Sequence, residues 1–261
     1  MASVIILMTL IVSINENEKY YQEKYGEKSI KKVLNQGAIF IFEAISQNIT
    51  TMENVIDPDV ASKIQKKIFN ILHNQLLVLT EMPIINKKLK MKKTDIIKFK
   101  FEDENIYEDK YKKLSRIEND EIEQYITTKY GTIGQCSFII GWLMAMSDSN
   151  QKTIDLISNL GTSFGIMVKL THDFNSLEDN IKNAKDMSFN YIVNCGIHNS
   201  FSLLDKNKID FIQGCMTNGI FNGIIKEIIE KLNQNYESCL ENTSLELQSQ
   251  YSSTVGTKSK N

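Results

Sequence analysis

Arginine is nearly missing from this chain: Arg116 stands alone among 30 basic residues, and all the others are lysines. That removes the bidentate fork with which proteins usually grip phosphate and leaves point charges on flexible stems. Prolines number two, Pro58 and Pro83, and glycines twelve. These are too few for a β-rich domain built on turns, so long helices are expected. The four cysteines, Cys136, Cys195, Cys215 and Cys239, show no C-x-x-C spacing. They read as reduced, buried thiols of an intracellular, cytoplasmic protein rather than a disulfide or zinc framework. A basic excess is lacking too: the formal net charge is −2, which argues against binding nucleic acid by general basicity. There is no G-x-x-x-x-G-K phosphate loop, no βαβ nucleotide pattern and no serine or cysteine with a neighbouring histidine. His73, His172 and His198 have no zinc-like spacing.

What is present is globular. At 261 residues, 42% hydrophobic and 24% charged, the chain fits a single all-α domain over residues 1–243 with a frayed polar tail over 244–261. Residues 1–14 are apolar, too short to span a bilayer and without a basic leader, so they read as a buried helix. A charged connection is expected over 15–24, then an amphipathic helix over 29–49 with Ile30, Val33 or Leu34, Gly37 or Ala38, Ile41 and Ile45 inward. Asp57-Pro58-Asp59 is a helix-start signal. The helix it opens buries Ile64, Ile68, Ile71 or Leu72, and Leu76, and Pro83 is expected to end it. Residues 86–120 read as a polar loop or surface insertion, a lysine run giving way to an acidic one. A solvated face is the first reading of the lysines; contact with an anionic host membrane is the alternative. C-terminal helices are expected over 199–204 and 209–232, with Phe211, Met216, Ile220, Ile224 or Ile225, Ile228 and Leu232 supplying the core.

The centre of the chain, residues 121–186, reads as two helices joined by a short polar turn. Gly131, Gly134, Gly141, Gly161 and Gly165 would let neighbouring helices approach closely. On the second helix Leu156, Leu160, Phe164, Met167 and Thr171 form one stripe at steps of three and four. Lys169, His172, Asp173 and Ser176 form another, the kind of polar set from which a bundle makes a ligand site. Trp142 and the phenylalanines read as core.

These residues also carry a resemblance. Lys129-Tyr130-Gly131, followed by Phe138 and Gly141-Trp142-Leu143, resembles the lysine-threonine-glycine helix of the trans-isoprenyl (polyprenyl) diphosphate synthases. Leu160-Gly161 and Phe164-Gly165, leading into Lys169, His172, Asp173 and Phe174, resemble the helix that ends in that family's second aspartate-rich motif. Asn74-Gln75-Leu76-Leu77-Val78 stands where the family has Gly-Gln-x-x-Asp. The bias toward Lys, Asn and Ile suits a member of large-DNA-virus type.

The resemblance implies an isoprenoid-synthase-like helical bundle lacking the family's N-terminal helices. It implies transfer of a prenyl group from an allylic diphosphate to isopentenyl diphosphate with Mg2+, in a homodimer or a heterodimer with a synthase. On this reading Lys129, Lys169, Lys185 and Gln75 would bind diphosphate, and Asp173 and Asp179 would hold metal. The chain departs from the family pattern. Its three aspartate positions hold His172, Asp173 and Ser176, Lys169 replaces a glutamine, and residues 8–18, where the first motif should fall, contain neither aspartate nor arginine. Magnesium wants several oxygen ligands. A catalytically impaired synthase-like protein is therefore expected, with a non-catalytic partner subunit of an active synthase as the alternative. Lys169 and Asp173, at i and i+4, are also expected to pair, which would occupy the last carboxylate.

Overall fold

Low proline and glycine content leaves the backbone free to stay helical, and the computed structural model is all-α. It describes residues 10, 13–14, 18–101, 119–146, 150–177 and 190–242, among which there are helices and the turns joining them, and no strand. The helices are α1 (Glu18–Tyr25), α2 (Glu27–Glu53), α3 (Pro58–Phe101), α4 (Asn119–Ile126), α5 (Thr132–Met146), α6 (Gln151–Asn175), α7 (Tyr191–Cys195), α8 (Ile197–Thr217) and α9 (Gly223–Asn242). Between α4 and α5 the chain runs through a π-helical turn, Thr127–Gly131.

Side-chain oxygens start several of these helices by accepting first-turn N–H groups that have no intrahelical partner. Asp57 Oδ1 accepts from the N–H of Asp59 at 2.9 Å and of Val60 at 3.2 Å, so α3 opens where the Asp-Pro-Asp signal places it. Asn150 does the same for α6 at 2.9 Å, Asn190 for α7 at 2.9 Å and Asn222 for α9 at 3.0 Å. Glycine makes the sharp breaks: Gly26 (φ 83°) separates α1 from α2, and Gly196 (φ 84°) separates α7 from α8. Both conformations are strained for any residue with a Cβ.

The helices fall into two compact units, over which the single domain expected for 1–243 is distributed. The first takes α1, α2, residues 58–87 of α3, residues 128–146 and residues 151–162 of α6. Its core includes Ile41, Ile45, Ile64, Ile68, Leu72, Leu79 and Met82, each 0–3% exposed. The second takes the rest of α3 and α6, residues 119–127, and α7 to α9, around Ile122, Leu170, Phe174, Leu204 and Phe211. Within it, Phe174 packs on Phe201 with ring centroids 4.8 Å apart, and Tyr236 of α9 closes against Phe201 at 6.0 Å. Aromatic contacts of this kind add to the area they bury.

Several expectations need correction. The charged stretch over 15–24 holds a helix from Glu18, in which Tyr21 stacks on Tyr25 at i+4 and Lys24 Nζ lies 5.3 Å from the Tyr25 ring centroid. Pro83 does not end its helix: α3 passes through it and continues to Phe101. The proline removes the N–H that would bond the Leu79 carbonyl, a penalty of roughly 3 kcal/mol in a helix interior. Leu79 and Met82, 1% and 0% exposed, anchor this part of the helix in the core, and packing outweighs the lost bond. Residues 86–101, expected as loop or insertion, are therefore helical, while 102–118 lie outside the described residues, as does the tail over 244–261. The C-terminal helices divide at Asn218 to Asn222, where Gly219 takes φ 67°, so residues 204–209 are uninterrupted helix. Two expected core positions face out, Leu156 at 40% and Met216 at 57%; Ile154 and Ile157, two positions before Leu156 and one after it, are buried instead.

Candidate functional site

The polar face at the end of α6 is assembled by helical spacing. Lys169 and Asp173 are one turn apart, and both are buried, at 6% and 2% exposure. The Lys169 ammonium donates to Asp173 Oδ1 as an ion pair, as the i, i+4 spacing predicts. The other oxygen, Oδ2, accepts the backbone N–H of Tyr191 at 2.9 Å. The Asp173 carbonyl in turn accepts from the Asn190 amide Nδ2 at 2.6 Å. One acidic residue thus binds a lysine on its own helix and the opening of α7. Charges taken out of water need this degree of pairing, because each would otherwise lose its hydration without compensation.

The neighbours divide sharply. His172 points out, with its side chain 74% exposed and Nδ1 3.9 Å from Asp173 Oδ1. Ser176 donates its hydroxyl back to the His172 carbonyl at 3.0 Å. Tyr191 is 2% exposed, and burial pushes its phenol well above the ordinary value, with smaller contributions from Cys195 and Glu123. The expected polar site is therefore a closed node that joins the end of α6 to α7.

This geometry tests the fit of a divalent cation. Magnesium requires oxygen lone pairs directed at it from an accessible carboxylate. Asp173 presents one oxygen to an ammonium and the other to a peptide N–H, and it does not fit that role. No group of three or more His, Cys, Asp or Glu suited to a metal ion occurs among the described residues. Asp179 and Lys185, the other metal and diphosphate candidates of this region, lie outside the described residues.

Gln75 and Lys129 belong to the first unit. Gln75 Nε2 donates to Gln135 Oε1 at 3.2 Å, and Gln135 Nε2 donates to Thr162 Oγ1 at 2.7 Å. Thr162 passes its hydroxyl hydrogen to the Ser158 carbonyl at 3.1 Å. The result is a polar chain crossing three helices, α3, α5 and α6. Gln135, which links it, is a residue that sequence reasoning passed over; its one signal is an amide set in an otherwise apolar helix. Beside it the backbones of α5 and α6 nearly touch: a Cβ built on Gly161 would lie 2.5 Å from the Gly134 carbonyl oxygen. Lys129 sits in the π-helical turn, 8% exposed, with Nζ 5.2 Å from the Tyr130 ring centroid. A ring face stabilises a cation held out of water.

Asn190 and Tyr191 were also passed over. Their bonds to Asp173 join positions 17 and 18 residues apart, and no local pattern announces them. No protein-family model, curated protein or solved structure matches the chain.

Proposed function

We propose that this protein is a non-catalytic relative of the trans-isoprenyl diphosphate synthases that works by association, as a partner subunit beside an active synthase. The observation that carries this reading is the closure of Asp173, whose two oxygens are taken by Lys169 and by the Tyr191 N–H. Ionising an allylic diphosphate needs divalent cations to neutralise the departing group, and those need free carboxylates. Asp173 is the one aspartate retained at the three positions of the second motif, and Lys169, standing where the family has a neutral glutamine, occupies it. The substitution supplies a cation to the carboxylate internally, so the same change that weakens a metal site strengthens the fold. What remains useful on such a helical bundle is its surface.

The test is an assay of the purified full chain with labelled isopentenyl diphosphate, an allylic diphosphate and Mg2+. The expected result is no product and no magnesium-dependent diphosphate binding. Mixing with an active synthase subunit from the same source should give a larger species by size-exclusion with light scattering. Prenyl transfer that disappears in Asp173→Asn would overturn the reading, and so would a chain that stays monomeric with every such subunit.

A further inference from the structure

Two asparagines of this chain precede glycine, Asn218 and Asn222, and both fall in the turn between α8 and α9. An Asn-Gly pair is chemically weak, because glycine has no Cβ to keep its amide nitrogen away from the preceding side-chain carbonyl. The fold treats the two copies differently. Asn218 is locked at the end of α8 in a Schellman arrangement. Gly219 takes φ 67°, its N–H donates to the Met216 carbonyl at 3.1 Å, and the Ile220 N–H donates to the Cys215 carbonyl at 3.0 Å. The nitrogen that would attack Asn218 is therefore already bonded. The Asn218 amide is held as well, its Nδ2 donating to the Gly214 carbonyl at 2.7 Å.

Asn222 and Gly223 are both exposed where α9 begins. The Gly223 N–H belongs to the first helical turn, which offers no intrahelical acceptor. Among the described residues nothing bonds it, or the Asn222 Nδ2. Asn222 Oδ1 accepts the Ile225 N–H at 3.0 Å. A donor thus already stands where negative charge would gather if this side-chain carbonyl were attacked.

We propose that Asn222 is a site of spontaneous deamidation and that Asn218 is protected from it. The Gly223 nitrogen gives its proton to hydroxide and bonds to Asn222 Cγ. The Cγ–Nδ2 bond then breaks, ammonia leaves and an imide ring closes. Water opens the imide at one carbonyl or the other, giving aspartate or isoaspartate. The sum is asparagine and water to carboxylic acid and ammonia, with no redox step. A carboxylate thereby enters residues 211–225, which hold no charged side chain, beside Ile224 at 68% exposure. Aspartate still accepts the Ile225 N–H, and negative charge is favourable at a helix start, so the aspartate product stays folded. The inference is independent of any relation to prenyl synthases.

The experiment incubates the full chain in mildly alkaline buffer at physiological temperature, folded and in denaturant, and then cleaves it after lysine in mild acid. One peptide, residues 209–226, carries both asparagines, and fragment masses place the gain on one or the other. In denaturant the two should react at similar rates. In the folded chain Asn222 should react at least about tenfold faster, because two bonds must open before the Asn218 imide can close. The cap bond at Asn222 engages neither the attacking nor the leaving nitrogen. Gly223→Ala fits, since a Cβ there meets nothing within 4 Å, and it should slow Asn222 severalfold without altering Asn218; circular dichroism checks that this variant is folded. Equal rates at the two positions of the folded chain, faster reaction at Asn218, no reaction at Asn222 while the denatured chain reacts, or an unchanged Asn222 rate in folded Gly223→Ala would each overturn the inference.

Discussion

The backbone N–H of Tyr191 donates to Asp173 Oδ2 at 2.9 Å while the Lys169 ammonium holds Oδ1 of the same carboxylate. The end of one helix and the start of another are thereby tied through a single side chain with no accessible oxygen left over. A carboxylate held in this way is worth most to the fold and least to a ligand.

Removing one partner of this node leaves the other charge buried and alone. Asp173→Ala and Lys169→Met are each expected to cost about 3–5 kcal/mol, the range for breaking a buried ion pair. The double variant should cost clearly less than the sum, because the unpaired charge is then gone. Chemical denaturation of the four proteins in a double-mutant cycle measures the coupling; additive effects would show that the pair does not act as a unit.

Two glycines of the central helices should respond in opposite directions to the same change. A Cβ on Gly161 meets backbone atoms of Gly134 and Gln135 at 2.5–2.8 Å, so Gly161→Ala must push helices apart and should destabilise by about 1–3 kcal/mol. Gly141 has nothing within 4 Å of its Cβ position, and Gly141→Ala in a helix interior should stabilise by roughly 0.5–1 kcal/mol. Thermal melts of the two variants decide the matter.

The amide chain in the first unit should show its cost when cut in the middle. Gln135→Leu leaves Gln75 Nε2 and Thr162 Oγ1 without their partner, and a loss of about 1–3 kcal/mol is expected. Adding Gln75→Leu should recover part of that loss, since an apolar pair strands fewer polar groups than half a chain. A decrease no larger than about 0.5 kcal/mol for Gln135→Leu would mean that water replaces the lost bonds.

Burial pushes the Cys136 thiol from its ordinary 9.0 up to about 12, and the Cys215 thiol up to about 11. Below pH ~9 both folded and unfolded chains keep these thiols protonated, and their contribution to stability is fully present. As pH rises past the unfolded value the unfolded chain ionises first, so stability should fall progressively toward pH 11–12. In the folded chain at pH 8, iodoacetamide should label both positions far more slowly than in denaturant, read by mass spectrometry.

Much of this was legible in advance because it is local. The period of Ile64, Ile68 and Leu72 gave the inner face of α3, Asp57-Pro58 gave its start, and the four-residue spacing of Lys169 and Asp173 gave their pairing. The rest depends on contacts that no window along the chain contains. Pro83 follows a rule of isolated helices, and the burial of Leu79 and Met82 overrides it. The π-helical turn over Thr127–Gly131 inserts a residue into the helical repeat without any local residue pattern to mark it. Asn190 and Tyr191 find Asp173 across a connection of many residues, so the closed state of that carboxylate was visible only from the side of Lys169.

The crossing of α5 and α6 at Gly134 and Gly161 sets a limit on how the first unit can move. Where main chain rests on main chain, no rotamer change can absorb a closer approach, so the two helices cannot be pressed nearer to one another at this point. Anything larger than hydrogen at position 161 must be accommodated by shifting backbone, because no neighbouring side chain stands there to turn aside.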